Sequence, residues 1–321
     1  MTQCNDTSAQ SYKNSELVPG LPSLTVIILT FNEAKHIERA IFSVRSFASE
    51  ILVVDSFSTD RTVELARNAG ARVLQNRFIN QSKQFQWALD NGAVSSDWII
   101  RLDADEIIEP DLAAEIVKRL PSMPSDVVAA NFKRKHIFMS RWIKHGGRYP
   151  LVLLRMWRNG HGRVEDRWMD EHIVTWGGRT ITLEGGFADA CLNDLTFFID
   201  KHNKYATREA IEVLNKRYAL RASNERARLG SRQANIKRWI KERLYNRLPL
   251  SIGPTGYFLF RFVIQRGFLD GREGLIYHFL QGYWYRFLVN AKVAELESAM
   301  RGCTSVEQRK ALLAELTGFE L

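Results

Sequence analysis

Short apolar runs alternate with helix-like segments over the first half of the chain. The runs are apolar on both faces and predict buried strands over residues 24–30, 51–54, 71–74 and 98–102. The segments between them place apolar residues three or four positions apart and predict three helices. The first covers about 34–47, the second runs from a cap at Thr59 or Asp60 to about 68, and the third covers 81–91. Strands that alternate with helices at this spacing indicate an α/β fold with a doubly wound, mostly parallel sheet.

The pattern changes in the second half. Pro110 starts a helix to about residue 120, and further strands are predicted over 127–132 and 152–157, around a loop with Gly146 and Gly147. A long helical pattern begins at Asn193 and becomes strongly basic, with 18 Lys or Arg against seven Asp or Glu between residues 200 and 290. We therefore predict a mobile tail over 1–21, an α/β domain over 22–190 and a basic, aromatic-rich helical extension over 191–321.

A cluster of carboxylates follows the predicted strand 98–102, in the order Asp103, Ala104, Asp105 and Glu106. In an extended chain, residues i and i+2 share a face about 6–7 Å apart, so Asp103 and Asp105 can reach one cation while Ala104 points away. Carboxylate oxygens suit Mg²⁺ or Mn²⁺. A solvated acidic turn is the alternative, but open α/β sheets bind ligands at the carboxyl ends of their strands. The position therefore favours a metal–phosphate site.

Two other strand ends carry matching chemistry. Phe31 follows the first strand and offers an aromatic face to a base, while Asp55 ends the second and can accept from a base N–H or a ribose hydroxyl. Taken singly, Phe31 is also typical of a core and Asp55 of a turn or cap. Together with Asp105 as a ligand for a metal-bound diphosphate, they predict a nucleoside diphosphate site. Glycine-rich dinucleotide loops and Walker-type loops are absent from the sequence.

The composition of the chain indicates what kind of partner it binds and in which cellular compartment it lies. A chain of 321 residues with 45% hydrophobic content can bury a full core, and a formal charge of +9 indicates an anionic partner such as nucleic acid, a phosphate-bearing substrate or anionic lipid. Cys4, Cys191 and Cys303 lack metal-ligand or redox spacing, which is typical of a reducing cytoplasm. The polar first twenty residues predict neither a signal peptide nor an anchor, and uncharged apolar runs stay below membrane-spanning length.

The residues over 26–33, 51–60 and 98–106 resemble inverting, family-2 glycosyltransferases with the GT-A nucleotide-sugar-binding fold, which is Rossmann-like. The segments 146–150, 154–157 and 267–274 are similar to the bacterial branch of that family that builds lipopolysaccharide core and related surface polysaccharides. Leu29 and Phe31 stand where many members have Pro and Tyr. This difference removes a possible phenolic hydrogen bond and keeps the stacking surface.

The resemblance implies transfer of a sugar, with inversion, from a nucleotide-diphosphate donor to a glycan or lipid-linked glycan acceptor. It implies Glu171, or else Asp170, as the base that deprotonates the acceptor hydroxyl, whereas a charged surface loop is the alternative for that acidic cluster. Lys83, Arg155 and Arg163 are candidates for screening the diphosphate. Asp103 and Asp105 would bind Mg²⁺ or Mn²⁺, and the implied donor-binding residues are Thr30, Phe31, Asn32, Glu33, Asp55, Ser58, Lys83, Asp103, Ala104 and Asp105.

The C-terminal half offers two interpretations. Aromatic residues over 256–264 and 283–288, interrupted by Arg261, Arg266, Arg272 and Arg286, suit an anionic membrane surface or an ordinary helical core. The first interpretation predicts a peripheral protein at the cytoplasmic face of the bacterial inner membrane. Transfer to polyprenyl phosphate remains an alternative that uses the same donor site. A basic nucleic-acid-binding protein is the rival from another class, but it has no use for three polar strand ends, so we expect no nucleic acid partner.

Overall fold

The computed structural model describes residues 20–165, 172–220 and 250–319. They form two compact units. The first extends to Ser140 and includes Tyr149–Leu192, whereas the second comprises Arg141–Arg148 and the chain from Asn193 onward.

The first unit is built on a mixed sheet. Its N-terminal part holds four parallel strands in the order β3-β2-β1-β4, and the predicted parallel arrangement is confirmed here. The bounds are β1 Leu24–Thr30, β2 Glu50–Asp55, β3 Arg72–Gln75 and β4 Trp98–Asp103.

The sheet continues beyond β4 with longer strands of both directions. The strands are β5 Glu106–Ile108, β6 Val127–Phe138, β8 Leu151–Arg158 and β11 Arg179–Ala190, and the order continues β8-β6-β11-β5. β8 is antiparallel to β4 and β6, and β11 is parallel to β6 but antiparallel to β5. The short strands β9 Gly162–Val164 and β10 Ile173–Thr175 form a separate antiparallel ribbon, while β7, Arg141–Ile143, belongs to the second unit.

Helices cover both faces of the sheet. Successive side chains of a strand point to opposite faces, and the buried strands are apolar on both, so each face needs a layer of helices. Leu24, Val26 and Ile28 of β1 join one core cluster with helix α1, and Ile27 joins the other with Phe85 of helix α3. The helices of this unit are α1 Ile37–Val44, α2 Thr62–Asn68, α3 Gln81–Asn91 and α4 Pro110–Arg119. This arrangement is a Rossmann-like α/β fold with a mostly parallel N-terminal part, as the sequence pattern predicted.

The second unit is helical. Ala210 and Leu214 of α5 share a buried cluster with Val293 and Leu296 of α8. The helices are α5 Leu195–Tyr218, α6 Ile252–Leu259, α7 Gly271–His278, α8 Tyr285–Ala299 and α9 Val306–Thr317, with π-helical segments at Phe260–Ile264 and Phe279–Trp284. Within the described ranges, no helix combines the length and apolar character needed to cross a bilayer.

A glycine loop is fitted tightly against a buried histidine in the second unit. A Cβ on Gly146 would meet Cε1 of His278 at 2.2 Å, and one on Gly267 would meet its Cδ2 at 2.6 Å. Asp270 accepts hydrogen bonds from the backbone and the ring of His145, and Arg261 donates to the Gly146 carbonyl at 2.8 Å. Gly146 and Gly267 therefore meet at the His278 ring, which leaves no room for a side chain at either position.

Candidate active site

The predicted strand ends lie in register at one edge of the sheet. Thr30 of β1 pairs with Asp55 of β2, and Leu29 pairs with Asp103 of β4. Asp55 in turn pairs with Gln75 at the end of β3. Four parallel strands thus present polar residues along a single edge.

Asp55 is fully buried and organises the loop that follows β2. Its carboxylate accepts from the Thr30 hydroxyl at 3.2 Å, the Ser58 backbone N–H at 2.9 Å and the Gln75 amide at 3.0 Å, and it also binds the Ser58 hydroxyl. Four donors and complete burial leave the carboxylate no exposed surface in this conformation. Asp55 therefore holds the loop after β2 in this conformation, and its contact with a nucleoside stays a prediction.

The loops after β1 and β2 are tied to each other. The Asn32 backbone N–H donates to the Ser58 hydroxyl at 2.8 Å, and the Asn32 side-chain oxygen accepts from the Thr59 N–H at 2.8 Å. Phe31 directly precedes Asn32, and Phe57 directly precedes Ser58. The two phenylalanine side chains are 56% and 54% exposed. Two aromatic faces are therefore open to solvent on adjoining loops, so Phe31 is not a core residue.

Phe57 adopts a conformation that is rare for a bulky residue. Its φ of +62° lies in the left-handed region, where a Cβ is unfavourable. Hydrogen bonds at the next residue, Ser58, hold the loop in that shape. Backbone strain of this kind persists when surrounding contacts over-determine it, and it concentrates at functional sites.

Glu33 is held by a buried histidine. Nδ1 of His36 lies 2.5 Å from the Glu33 carboxylate, and Nε2 of His36 accepts from the Leu192 backbone N–H at 2.8 Å. The Glu33 backbone N–H donates to the Thr62 hydroxyl at 2.7 Å. The half-buried Glu33 is therefore held at its carboxylate by His36 and at its backbone by Thr62.

The chain turns directly after Asp103, which corrects our argument from extended geometry. β4 ends at Asp103, Ala104 and Asp105 form a turn, and β5 begins at Glu106. Ala104 is buried in the core beneath the sheet edge, as expected for a residue pointing away from a cation. Asp103 and Asp105 are thus separated by the start of a turn and do not share one face of an extended strand.

A buried ion network supports Asp103 from below. Arg155, 5% exposed, donates to Glu106 at 2.6 Å and to Asp103 at 3.3 Å, and Arg101 lies 3.5 Å from Asp103. Despite burial, the charges of Arg155 and Arg101 hold the pKa of Asp103 well below its usual range. Burial raises the pKa of Glu106 to about 8, with Arg155 opposing and Asp103 adding to the rise. Arg155 therefore serves these carboxylates rather than facing solvent.

The donor set suits a cation that is shared with a substrate. The described residues contain no group of three or more His, Cys, Asp or Glu side chains placed to hold a metal ion. Mg²⁺ is commonly bound by one or two carboxylates, with phosphate oxygens and water completing its coordination. Asp103 and the half-buried Asp105 supply that number of hard oxygen ligands. The residues present therefore fit a Mg²⁺ or Mn²⁺ ion that a diphosphate helps to bind.

Of the remaining predicted site residues, some lie near the carboxylates and others do not or are not described. Helix α3 begins beside the carboxylates, since Gln81 donates to Asp103 at 3.5 Å, and the exposed Lys83 stands in the same first turn. Arg163 is exposed on β9. Asp170 and Glu171, the candidate bases, lie outside the described residues.

Three contributors were missed by reasoning from the sequence. Gln75 has a signal, because it ends β3 just as Asp55 ends β2. Phe57 has a weaker one, as a large apolar residue in an otherwise polar loop. The role of Glu106 has none, because its partner Arg155 lies 49 residues away in the chain.

Comparison with known proteins agrees with this architecture. The profile of glycosyl transferase family 2 matches residues 25–181. An uncharacterized glycosyltransferase from Rickettsia bellii is 38% identical over 118 residues, which are 37% of this chain and 39% of the relative. Another, from Rickettsia typhi, is 25% identical over 291 residues, 88% of this chain and 90% of the relative.

A solved structure that resembles this protein matches a smaller share of the chain than the Rickettsia typhi relative does. Glucosyl-3-phosphoglycerate synthase from Mycobacterium tuberculosis, crystallised with Mn²⁺, UDP and glucosyl-3-phosphoglycerate, is 25% identical over 36% of this chain and 44% of that one, with a TM-score of 0.30. The chain spans well under two thirds of the Rickettsia bellii relative. Residues 25–181, which carry the aligned strand ends, are thus similar to glycosyl transferase family 2.

Proposed function

We propose that this protein is an inverting glycosyltransferase that moves a sugar from a nucleotide-diphosphate donor to a hydroxyl of a glycan. The observation that carries the proposal is the alignment of Thr30, Asp55 and Asp103 at one sheet edge, where an exposed aromatic ring stands beside carboxylates. The family-2 domain supports the same reaction class.

Each donor group has a matching residue. Phe31, and with it Phe57, offers a face for the nucleobase, and the fixed Glu33 carboxylate offers an acceptor for a base or ribose donor. Asp55, Ser58 and Asn32 act by holding both loops in place. Lys83, in the first turn of α3, supplies a positive charge on the side where the diphosphate would lie.

The transfer itself requires two events at the anomeric carbon. The acceptor oxygen forms a bond on one face while the bond to the diphosphate breaks on the other, which inverts the configuration. The acceptor proton must pass to a base, and we assign Glu171, with Asp170 as the second choice, on the sequence alone. A divalent cation bound by Asp103 and Asp105 would supply charge that stabilises the departing diphosphate.

The acceptor we propose is a lipid-linked or growing cell-surface glycan, such as lipopolysaccharide, reached from the cytoplasmic side of the inner membrane. The formal charge of +9 supports an anionic substrate or surface. Polyprenyl phosphate is the alternative acceptor, and its phosphate would suit the same basic protein.

A product assay tests this proposal. The purified full chain is incubated with Mn²⁺ or Mg²⁺, a panel of nucleotide-diphosphate sugars, and either extracted lipid-linked glycans or polyprenyl phosphate. We expect acceptor-dependent release of a nucleoside diphosphate and a product whose anomeric configuration is opposite to that of the donor. Retention of configuration would contradict the inverting reaction, and absence of both transfer and nucleotide binding across the panel would overturn the proposal.

A further inference from the structure

The second unit exposes an unusual number of large apolar side chains over residues 250–279. Apolar side chains that are exposed together often mark an interaction surface. The exposed set is Leu250, Ile252, Leu259, Phe260, Val263, Ile264, Phe268, Leu269, Leu275 and Phe279.

These residues lie on a helical hairpin. One arm is α6 with its π-helical continuation to Ile264, and the other is α7 with its continuation from Phe279. Phe258 and Phe279 join the arms edge to face at 6.1 Å. Exposed residues recur four apart on both arms, as in Phe260 and Ile264, so each arm presents an apolar stripe.

The hairpin is an ordered part of its unit. Arg261 in the first arm is 5% exposed and donates to the Gly146 carbonyl at 2.8 Å. Asp270 at the turn is 3% exposed and accepts from the His145 backbone at 2.9 Å. The apolar side chains are therefore presented from a backbone that polar contacts hold on its inner side.

Among the described residues 250–279, the exposed charged side chains are both arginines. Arg266 and Arg272 are exposed at the turn between the arms. The acids of the same segment are turned away, because Asp270 is buried and Glu273 is half-buried, 3.6 Å from Arg141. An apolar surface edged by arginines is complementary to a bilayer whose headgroups are negative.

We propose that this hairpin binds the surface of an anionic membrane, with its apolar stripe in the interfacial layer and Arg266 and Arg272 at the phosphates. Interfacial binding fits the finding that no described helix is suited to span a bilayer. A symmetric contact with a second copy fits less well, because it would bring the same arginines together without an exposed acid to pair them. The inference goes beyond the proposed reaction and does not rest on it.

Vesicle flotation of the full chain tests the proposal. We expect the protein to float with vesicles that contain phosphatidylglycerol at low salt, and to float less at high salt or with phosphatidylcholine alone. Replacing the pair Phe260 and Ile264 by Ser should lower partitioning by about tenfold or more, because each side chain loses its apolar burial. Arg272→Gln should lower it by about fivefold on anionic vesicles only.

Matched variants separate this surface from exposure in general. Leu316→Ser removes a leucine that is 52% exposed on α9, and Arg301→Gln removes an exposed arginine, and both should float as the parent does. Helical content measured by circular dichroism confirms that each variant is folded. A parent that stays unbound on anionic vesicles, or controls that lose binding as much as the hairpin variants, would overturn the proposal. So would a parent that ignores vesicles but dimerises through Phe260 and Ile264. Nucleotide binding is measured separately, so a chain that floats without binding nucleotide refutes only the proposed reaction.

Discussion

The guanidinium group of Arg155 donates a hydrogen bond of 2.6 Å to the Glu106 carboxylate beneath the candidate metal site. Both side chains are almost completely buried, at 5% and 1% exposure. Arg155 opposes the effect of burial on the pKa of Glu106, so its removal leaves a buried carboxyl group without the donor and the charge that compensate its burial. We expect Arg155→Met to lower the free energy of unfolding by about 3 kcal/mol, measured by denaturant titration.

A double variant separates pairing from packing. Glu106→Gln in the Arg155→Met background removes the carboxylate that lost its partner, so the loss should be smaller than the sum of the two single losses. Additive losses would show that Arg155 stabilises through its packing alone.

Phe57 should contribute to nucleotide binding without contributing to stability. Phe57→Gly relieves the left-handed strain at φ +62° but makes the unfolded chain more flexible, so the free energy of unfolding should change by less than about 1 kcal/mol. Loss of a stacking face should weaken binding of a nucleoside diphosphate by about tenfold, measured by calorimetry.

The matched control for this substitution is Phe42→Ala. Phe42 is 48% exposed in the second half of helix α1, and its loss should leave nucleotide affinity unchanged. Equal affinity in the parent and in Phe57→Gly would remove Phe57 from the donor site.

His278 should make the protein less stable in mild acid. Burial and the charge of Arg261 lower its pKa to about 4, against 6.5 for an ordinary histidine, although Asp270 opposes the shift. Between pH 6.5 and 4, His278 is protonated in the unfolded chain but stays neutral in the folded chain. The free energy of unfolding therefore falls as the pH falls, by about 3 kcal/mol in total.

The slope of unfolding free energy against pH is the measurement. Arg261, Asp270 and Arg148 lie near this ring, and His145 binds Asp270; all four are present in both proteins, so the parent is compared with His278→Gln. The variant should show a shallower slope between pH 6.5 and 4. Equal slopes would show that other groups cause the acid sensitivity.

Glu171→Gln keeps the shape of the proposed base and removes its basicity. The turnover number should fall by about 10²–10⁴-fold, while affinity for the donor stays near that of the parent. Asp170→Asn is the companion variant, because a larger loss there would make Asp170 the base. A Glu171→Gln protein that turns over at the parental rate would exclude Glu171.

The sequence was informative where local pattern decides structure. Apolar runs located β1 to β4, and the polar residues after them were correctly expected at one edge, because parallel strands share their direction. The turn at Ala104 and the full burial of Asp55 were not foreseen. The second depends on Gln75, which is adjacent only after the strands pair.

In the second unit, too, contacts between residues distant in sequence could not be predicted from local pattern. Gly146 and Gly267 are required by the His278 ring, which is distant in sequence from Gly146. Most of the exposed apolar residues differ from the aromatic residues on which the membrane interpretation rested. Tyr257, Phe258 and Phe262 are half-buried, with Phe258 stacked on Phe262 at 5.3 Å. Composition therefore identified a basic, aromatic region but could not tell which side chains face outward.

Calorimetric titration of nucleoside diphosphates, with Mn²⁺ or Mg²⁺ and again with a chelator, tests the central claim most directly. We predict that the parent binds one nucleoside diphosphate per chain, that chelation weakens the binding, and that Asp105→Asn keeps the parental melting temperature but loses the metal-dependent part of the affinity. Absence of binding across the panel, or an Asp105→Asn protein that binds as the parent does with metal, would contradict the account.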